Sequence, residues 1–145
     1  MSQIKQNLDI INKKILDAEN HAGRPQGSVK LMAVSKFHPI EDVIQSLESG
    51  QTLFGENRVQ EAYSKFKPVF EQYSQTELHM IGQLQTNKVK HAVEIASCIE
   101  SVDRIELLQE IEKQCRAHHL SDEPCFSQSR AAQPDCQDRG KDAWF

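Results

Sequence analysis

Two periodicities alternate along this chain. Apolar residues recur three and four positions apart, the spacing of amphipathic helices, in stripes that begin at Ile4, Ile40, Val59, Val89 and Ile105. Between the stripes lie short β-prone runs that end at polar or glycine residues, at positions 29–36, 52–54, 78–81 and 98–102. This alternation predicts a parallel sheet with the helices packed outside it.

Glycine and proline mark the expected ends of the first three helices. We expect these ends before Gly23, before Gly50 and at Pro68, because proline cannot donate the backbone hydrogen bond that continues a helix. The strand–helix repeat of about twenty residues suits either an open doubly wound sheet or successive units of a (β/α)8 barrel. The chain has neither the G-x-G-x-x-G nor the G-x-x-x-x-G-K-[ST] loop of nucleotide-binding folds, which favours the barrel.

Composition narrows the class of protein. With 145 residues the chain is long enough for one domain, and its 17 basic and 21 acidic side chains include no basic patch of the kind that binds nucleic acid. Its apolar runs are too short to span a membrane and its N-terminus lacks an apolar signal core, so we expect a cytoplasmic protein. Cys115, His118, His119 and Cys125 match no common zinc-ligand spacing, so no metal site is predicted.

Lys36 is the leading candidate for chemistry because it ends the first β-prone run, and His38 and Pro39 then open a new segment. A buried parallel strand delivers such a lysine to the carboxyl-end rim of the sheet, where α/β proteins hold ligands. A partly dry rim disfavours the charged ammonium and so favours the neutral amine that attacks an aldehyde. The simpler alternative is a solvated lysine after a strand.

Polar clusters at the ends of the next two strands, 55–57 and 82–85, would share that rim. In a barrel the carboxyl ends of the strands lie together, so Lys36 would face Asn57 and the backbone near Gly82. Asn57 could equally be the N-cap of the helix that follows it, and Gly82 could simply permit a turn.

Four motifs resemble, in their order and spacing, the successive signatures of the pyridoxal phosphate homeostasis proteins. They are Ala33-Val34-Ser35-Lys36, Phe54-Gly55-Glu56-Asn57-Arg58-Val59-Gln60-Glu61, His79-Met80-Ile81-Gly82-Gln83-Leu84-Gln85-Thr86-Asn87-Lys88 and Ser101-Val102-Asp103-Arg104. The motifs lie within residues 1–117, and four linked motifs are far more specific than any one of them.

The resemblance implies a (β/α)8 TIM-type barrel similar to the N-terminal domain of alanine racemases, with pyridoxal 5′-phosphate (PLP) as its cofactor. Lys36 matches the lysine that forms a Schiff base with PLP, and Asn57 matches an asparagine on the cofactor side of the barrel. The resemblance also implies monomeric full-length proteins that hold and deliver PLP in intracellular homeostasis without robust turnover. No catalytic residue is therefore assigned.

The chain covers only part of that pattern. Residues 1–117 supply about four βα units, the N-terminal half of the α/β barrel, whereas 118–145 match nothing in the family and have the composition of a disordered tail. A shifted reading frame or a truncated gene product would explain this tail. The family's phosphate contacts come from later strands, so no phosphate ligand is assigned. The open edges of a half barrel predict weak or absent PLP binding and self-association.

Two alternative interpretations remain. The chain could be a PLP-dependent amino-acid racemase or lyase, which needs a second acid–base group beside the Schiff base. Tyr63 and Tyr73 fall in helical and connecting regions, and His38 and His79 are more typical of packing or surface positions than of a general base. The chain could also be an inactive fragment of the family that keeps the motifs without a working site.

Overall fold

A four-stranded parallel sheet and five α-helices alternate along residues 2–119, which are the residues that the computed structural model describes. The elements are α1 (Gln3–His21), β1 (Ala33–Val34), α2 (Ile40–Glu48), β2 (Leu53–Glu56), α3 (Val59–Gln72), β3 (Glu77–Met80), a 3-10 turn (Thr86–Lys88), α4 (Val89–Ile95), β4 (Cys98–Ile99) and α5 (Ile105–His119). The predicted alternation of strands and helices is confirmed.

The strands lie in the sheet in the same order as in the chain, β1-β2-β3-β4, and every neighbouring pair is parallel. A doubly wound sheet would reverse its strand order at a switch point, whereas a barrel adds each strand beside the previous one. The described residues therefore form the first four βα units of a TIM-type barrel, as the sequence predicts. Val34, Gly55, His79 and Cys98 form one register row across all four strands.

The helices cover one face of this sheet. Phe54, Leu78 and Met80 are at most 1% exposed and share a hydrophobic core with residues of α2, α3, α4 and α5. The rings of Phe54 and Phe66 lie 5.6 Å apart at a tilt, a favourable geometry for two aromatic rings. Each such side chain contributes roughly 1.5–3 kcal/mol through burial, so this layer holds the strand ends in place.

The opposite face carries the register row named above, and we call it the inner face because it would line the interior of a closed barrel. Val34 is 44% exposed there, and His79 and Cys98 are only partly buried. Helix α1 also leaves apolar side chains exposed, including Ile10 and Ile11. Within the described residues, therefore, neither the inner face nor this side of α1 is fully covered.

Some element boundaries differ from the predictions. Helix α3 continues through Pro68 to Gln72, so the expected end at Pro68 is wrong. Pro68 lacks the N–H that would bond to the carbonyl of Ser64, but Val69 is 2% exposed and Phe70 packs against the core. Burial of these two side chains offsets the lost hydrogen bond.

Strand β1 contains two residues rather than the expected 29–36, because only Ala33 and Val34 pair with β2. Helix α5 extends to His119, and the rest of the predicted tail, 120–145, lies outside the described residues. Between residues 2 and 119, no helix is both long enough and apolar enough to cross a membrane.

Candidate functional site

Lys36 lies in a tight turn that connects β1 to α2. The N–H of His38 donates to the carbonyl of Ser35 at 3.0 Å and closes this turn around Lys36 and Phe37. Phe37 has a φ of 65°, in the left-handed region that bulky residues rarely occupy. The turn thus places Lys36 just beyond the carboxyl end of β1, as predicted. Its side chain is exposed, so the expected partly dry surroundings are not formed by residues 2–119.

A buried ion pair fixes the residue that precedes Lys36. The hydroxyl of Ser35 donates to Oε1 of Glu56 at 2.8 Å, and the carbonyl of Ser35 accepts a hydrogen bond from Nζ of Lys65, also at 2.8 Å. Lys65 Nζ lies 2.8 Å from the same Glu56 oxygen. The Glu56 side chain is fully buried and that of Lys65 is 8% exposed. The side chain of Ser35 is therefore hydrogen-bonded to Glu56 on β2, and its backbone carbonyl to Lys65 on α3.

A second carboxylate fixes the residue that follows Lys36. Oε1 of Glu61 accepts a hydrogen bond from the N–H of Phe37 at 3.0 Å and lies 3.3 Å from Nζ of Lys65. The Phe37 hydrogen bond is the largest contribution that lowers the pKa of Glu61 below 4.5, and the Lys65 ammonium lowers it further. We call Glu56, Glu61 and Lys65 the turn anchor, because together they hold Ser35 and Phe37, the two neighbours of Lys36.

Asn57 follows β2 on the strand next to β1, so its backbone lies at the same end of the sheet as Lys36. The N-cap of α3 is Arg58, so the alternative in which Asn57 caps that helix is wrong. Asn57 instead packs its backbone against Gly82: a Cβ at position 82 would lie 2.3 Å from the Asn57 carbonyl oxygen. Close approach of two chain segments, rather than a turn with positive φ, explains this glycine.

The next rim segments are also held by hydrogen bonds. Ser101 donates from its hydroxyl to the Gly82 carbonyl, and a guanidinium nitrogen of Arg104 donates to the Leu84 carbonyl at 3.1 Å. These bonds explain why a polar motif follows β4. They extend the ordered rim from the Lys36 turn across all four strand ends.

The motifs of the sequence indicate Lys36 and Asn57 as candidate site residues, but they do not indicate the turn anchor. Glu56 ends a strand and looks like a polar rim residue, yet it points into the helix-covered layer. The four-residue spacing of Glu61 and Lys65 on α3 was a usable signal, because such residues lie on one helix face. The pairing of Lys65 with Glu56 depends on how α3 packs on the sheet, which local sequence does not encode.

Chemically, the site offers one exposed primary amine on a turn whose two flanking residues are fixed. An amine in this setting can condense with an aldehyde, because it is accessible and its backbone position is constant. The geometry of the turn accounts only for the bond between the Lys36 amine and the aldehyde group of a ligand. The described residues that surround it give no comparable basis for assigning a phosphate-binding group.

Several curated proteins are similar to this chain. The pyridoxal phosphate homeostasis protein of Pasteurella multocida is 40% identical over 116 residues, which are 80% of this chain and 49% of that protein. Its namesake in Escherichia coli K12 is 34% identical over 116 residues, 79% of this chain and 49% of that protein. The chain thus spans about half the length of the curated relatives it matches. No family model matches it.

Solved structures agree with the curated relatives. PipY of Synechococcus elongatus, solved with PLP bound, is 35% identical with a TM-score of 0.64, and the match covers 79% of this chain and 49% of PipY. A protein of unknown function from Bifidobacterium adolescentis is 31% identical with a TM-score of 0.73, over 79% of this chain and 50% of that one. Both matches support the half-barrel fold described above.

Proposed function

We propose that the chain belongs, through a segment that matches their N-terminal half, to the pyridoxal phosphate homeostasis proteins, and that it serves intracellular PLP homeostasis. In this proposal Lys36 holds PLP as a Schiff base and Asn57 lies beside the bound cofactor. The observation that carries the proposal is the position of Lys36 at the carboxyl end of β1, with both neighbouring residues fixed by the turn anchor.

The chemistry of the cofactor fits this amine. PLP supplies an aldehyde, which joins to a neutral lysine amine with loss of one water. The turn anchor keeps the backbone of Lys36 in place, so the entropy lost on binding is limited to the lysine side chain and the cofactor. PLP bound to PipY, a structural relative, supports the choice of this aldehyde over others.

The proposed role is that of a carrier without robust turnover. A racemase or lyase would need a second acid–base group next to Lys36. Tyr63 lies on α3, where its ring packs against His91 at 5.1 Å, and Tyr73 follows the end of that helix. These positions belong to the helical layer, which supports the carrier over the enzyme. We further propose a cytoplasmic location, in keeping with the composition.

This chain by itself should hold PLP weakly. Lys36 is exposed, and the inner face beside it is only partly covered within the described residues. Water therefore competes for the Schiff base more than it would in a closed barrel. The apolar residues on the inner face and on α1 also favour self-association, which we propose for this chain in place of the monomer expected of longer relatives.

Borohydride trapping tests the proposal despite weak binding, because reduction makes a transient Schiff base permanent. The purified chain is mixed with equimolar PLP, reduced and mapped by mass spectrometry. We expect the pyridoxyl group mainly on Lys36, and a loss of that adduct in Lys36→Ala. The exposed Lys67 on α3 is the matched control, in Lys67→Ala, and should leave labelling of Lys36 unchanged.

Equal labelling of Lys36 and Lys67 would show that Lys36 reacts with PLP no better than another exposed lysine, and this would contradict the proposal. A parallel assay for racemisation or elimination of amino acids tests the carrier role separately. Turnover that requires Lys36 would favour the enzyme instead. Size-exclusion chromatography with light scattering measures self-association. A monomer at all concentrations would contradict the proposed self-association.

A further inference from the structure

Three side chains that can bind a metal meet on the inner face, away from Lys36. His79 on β3 and Cys98 on β4 are register partners, and Glu100 follows Cys98 by two positions. One ligand atom from each lies within 4.8 Å of the other two, and His79 Nδ1 is 2.6 Å from Glu100 Oε1. We call these three residues the inner-face triad.

The backbone arranges the inner-face triad before any ligand binds. Paired residues on parallel strands keep a fixed separation, and successive residues on a strand alternate between the two faces. The side chains of Cys98 and Glu100 therefore lie on one face of the sheet. The β3–β4 register places His79 beside Cys98 on that same face. The side chain of His79 is 19% exposed and that of Glu100 is 46% exposed, so a solvated ion can reach both.

From this arrangement we infer that the inner-face triad binds a divalent transition-metal ion of the zinc class. Imidazole nitrogen, thiolate sulfur and carboxylate oxygen together suit Zn²⁺, Co²⁺ or Ni²⁺, whereas Ca²⁺ and Mg²⁺ prefer oxygen ligands alone. Three protein ligands leave a fourth position to water, as in open zinc sites. The ion takes the place of the proton shared by His79 and Glu100 and displaces the proton of the Cys98 thiol.

The ligand atoms need only a small adjustment to surround such an ion. Bonds of about 2.0 Å to nitrogen and oxygen and 2.3 Å to sulfur place tetrahedral ligands roughly 3.3–3.5 Å apart. The present upper limit of 4.8 Å is therefore roughly 1.3 Å too long, and the 2.6 Å between His79 Nδ1 and Glu100 Oε1 is roughly 0.7 Å too short. Rotation of the exposed Glu100 side chain and of the Cys98 thiol can make both changes. Lys36 follows β1, which lies two strands and roughly 10 Å from β3, so the proposed site is separate from the PLP site.

Sequence spacing could not reveal this triad. His79 and Cys98 are distant in the chain and match no zinc-ligand motif, so their spacing predicts no metal site. Only the register of β3 and β4 makes them neighbours. The inference does not depend on the proposed PLP function, because none of the three residues contacts the turn anchor in the hydrogen bonds described above.

Titration of the full chain with Co²⁺ under reducing conditions tests the inference, because a Co²⁺–thiolate bond gives a charge-transfer band in the near ultraviolet. We expect one equivalent of Co²⁺ to bind with this band and Zn²⁺ to displace it. Cys98→Ser should abolish the band even though the other three cysteines remain. His79→Ala and Glu100→Gln should each weaken binding at least tenfold.

Two controls make the result decisive. His91→Ala removes a histidine that pairs with Glu94 on α4, outside the triad, and Lys36→Ala removes the proposed PLP amine. Both variants should bind Co²⁺ like the parent chain. A band that survives Cys98→Ser, binding unaffected by His79→Ala, or no stoichiometric binding by the parent chain would overturn the inference. Circular dichroism of each variant separates loss of a ligand from loss of the fold.

Discussion

Lys65 Nζ lies 2.8 Å from Glu56 Oε1, and this ion pair is almost entirely shielded from water, with exposed fractions of 8% for Lys65 and 0% for Glu56. The other carboxylate oxygen of Glu56, Oε2, accepts no hydrogen bond from the described residues. A buried carboxylate depends strongly on its one cation, because transfer of a charge out of water is costly. Loss of the Lys65 cation would therefore destabilise both the sheet and the Lys36 turn.

Replacement of Lys65 by methionine should strongly destabilise the fold. The substitution keeps most of the side-chain volume but leaves Glu56 as a buried charge without its cation, which costs about 3–5 kcal/mol. Urea unfolding followed by circular dichroism measures the loss. The control is Lys67→Met, two positions along α3 and exposed, which should change stability by less than about 0.5 kcal/mol. Equal effects of the two substitutions would show that the buried pair adds no specific stability.

A methyl group at Gly82 should disturb the rim directly. An alanine Cβ there would lie 2.3 Å from the carbonyl oxygen and 2.6 Å from Cα of Asn57, both backbone atoms that cannot move alone. Overpacking of this kind costs about 1–3 kcal/mol, and we expect Gly82→Ala to fall at the upper end.

Gly55→Ala is the matched control for Gly82→Ala. Its Cβ would lie 2.8 Å from Sδ of Met32, the flexible end of a side chain that can rotate away. We expect a loss below about 1.5 kcal/mol in the same urea unfolding experiment. A larger loss for Gly55→Ala than for Gly82→Ala would mean that the Asn57 backbone yields more easily than the Met32 side chain.

The Glu61 carboxylate should make the stability of the Lys36 turn depend on pH. Its pKa in the folded chain is lowered below 4.5, chiefly by the hydrogen bond from the Phe37 N–H. A lowered pKa means that the stabilisation is fully present above the unfolded value and is lost as the pH falls through the folded value. Glu61→Gln, which mimics the protonated acid, should cost about 1 kcal/mol at neutral pH.

Urea midpoints of the parent chain and Glu61→Gln, measured between neutral and acidic pH, check this sign. The two curves should converge as the pH falls below 4.5, because the parent carboxyl then becomes neutral too. Other carboxylates titrate equally in both proteins and cancel in the difference. A difference that stays constant or widens in acid would contradict the role assigned to Glu61.

The ordered conformation of the loop between α1 and β1 should depend on the Glu19 side chain. This carboxylate accepts hydrogen bonds from the N–H of Gly27 at 2.9 Å and of Val29 at 2.7 Å, and its pKa is lowered by these two bonds above all. Glu19→Gln should loosen the loop and increase tryptic cleavage after Lys30 severalfold. Glu48→Gln, at an exposed position on α2, should leave the cleavage rate unchanged. Unchanged cleavage in Glu19→Gln would show that other contacts hold the loop.

The fold was predictable because local patterns and the layered architecture agree. Apolar stripes located all five helices, and the absence of nucleotide-binding loops favoured the barrel over a doubly wound sheet. Patterns failed where tertiary packing decides the outcome. Pro68 is retained inside α3 because Val69 beyond it is buried, and Leu107, rather than the exposed Ile105, anchors α5 in the core.

The candidate site was predictable only in part, for a related reason. Lys36 and Asn57 stand out because each closely follows a strand and lies within a motif. Glu56 and Lys65 meet through the packing of α3 on β2, and His79 meets Cys98 through strand register. Such pairings depend on how whole helices and strands pack together, so the local spacing of residues does not predict them.

The order of the strands has a consequence for how this chain is made. Among the described residues, β2, β3 and β4 each pair with the strand synthesised just before them, so each of these three finds a partner that has already left the ribosome. The segment between two paired strands is only about twenty residues long, which keeps the entropy of closing it moderate. The sheet can therefore assemble in the direction of translation, with each new βα unit docking on the edge left by its predecessor.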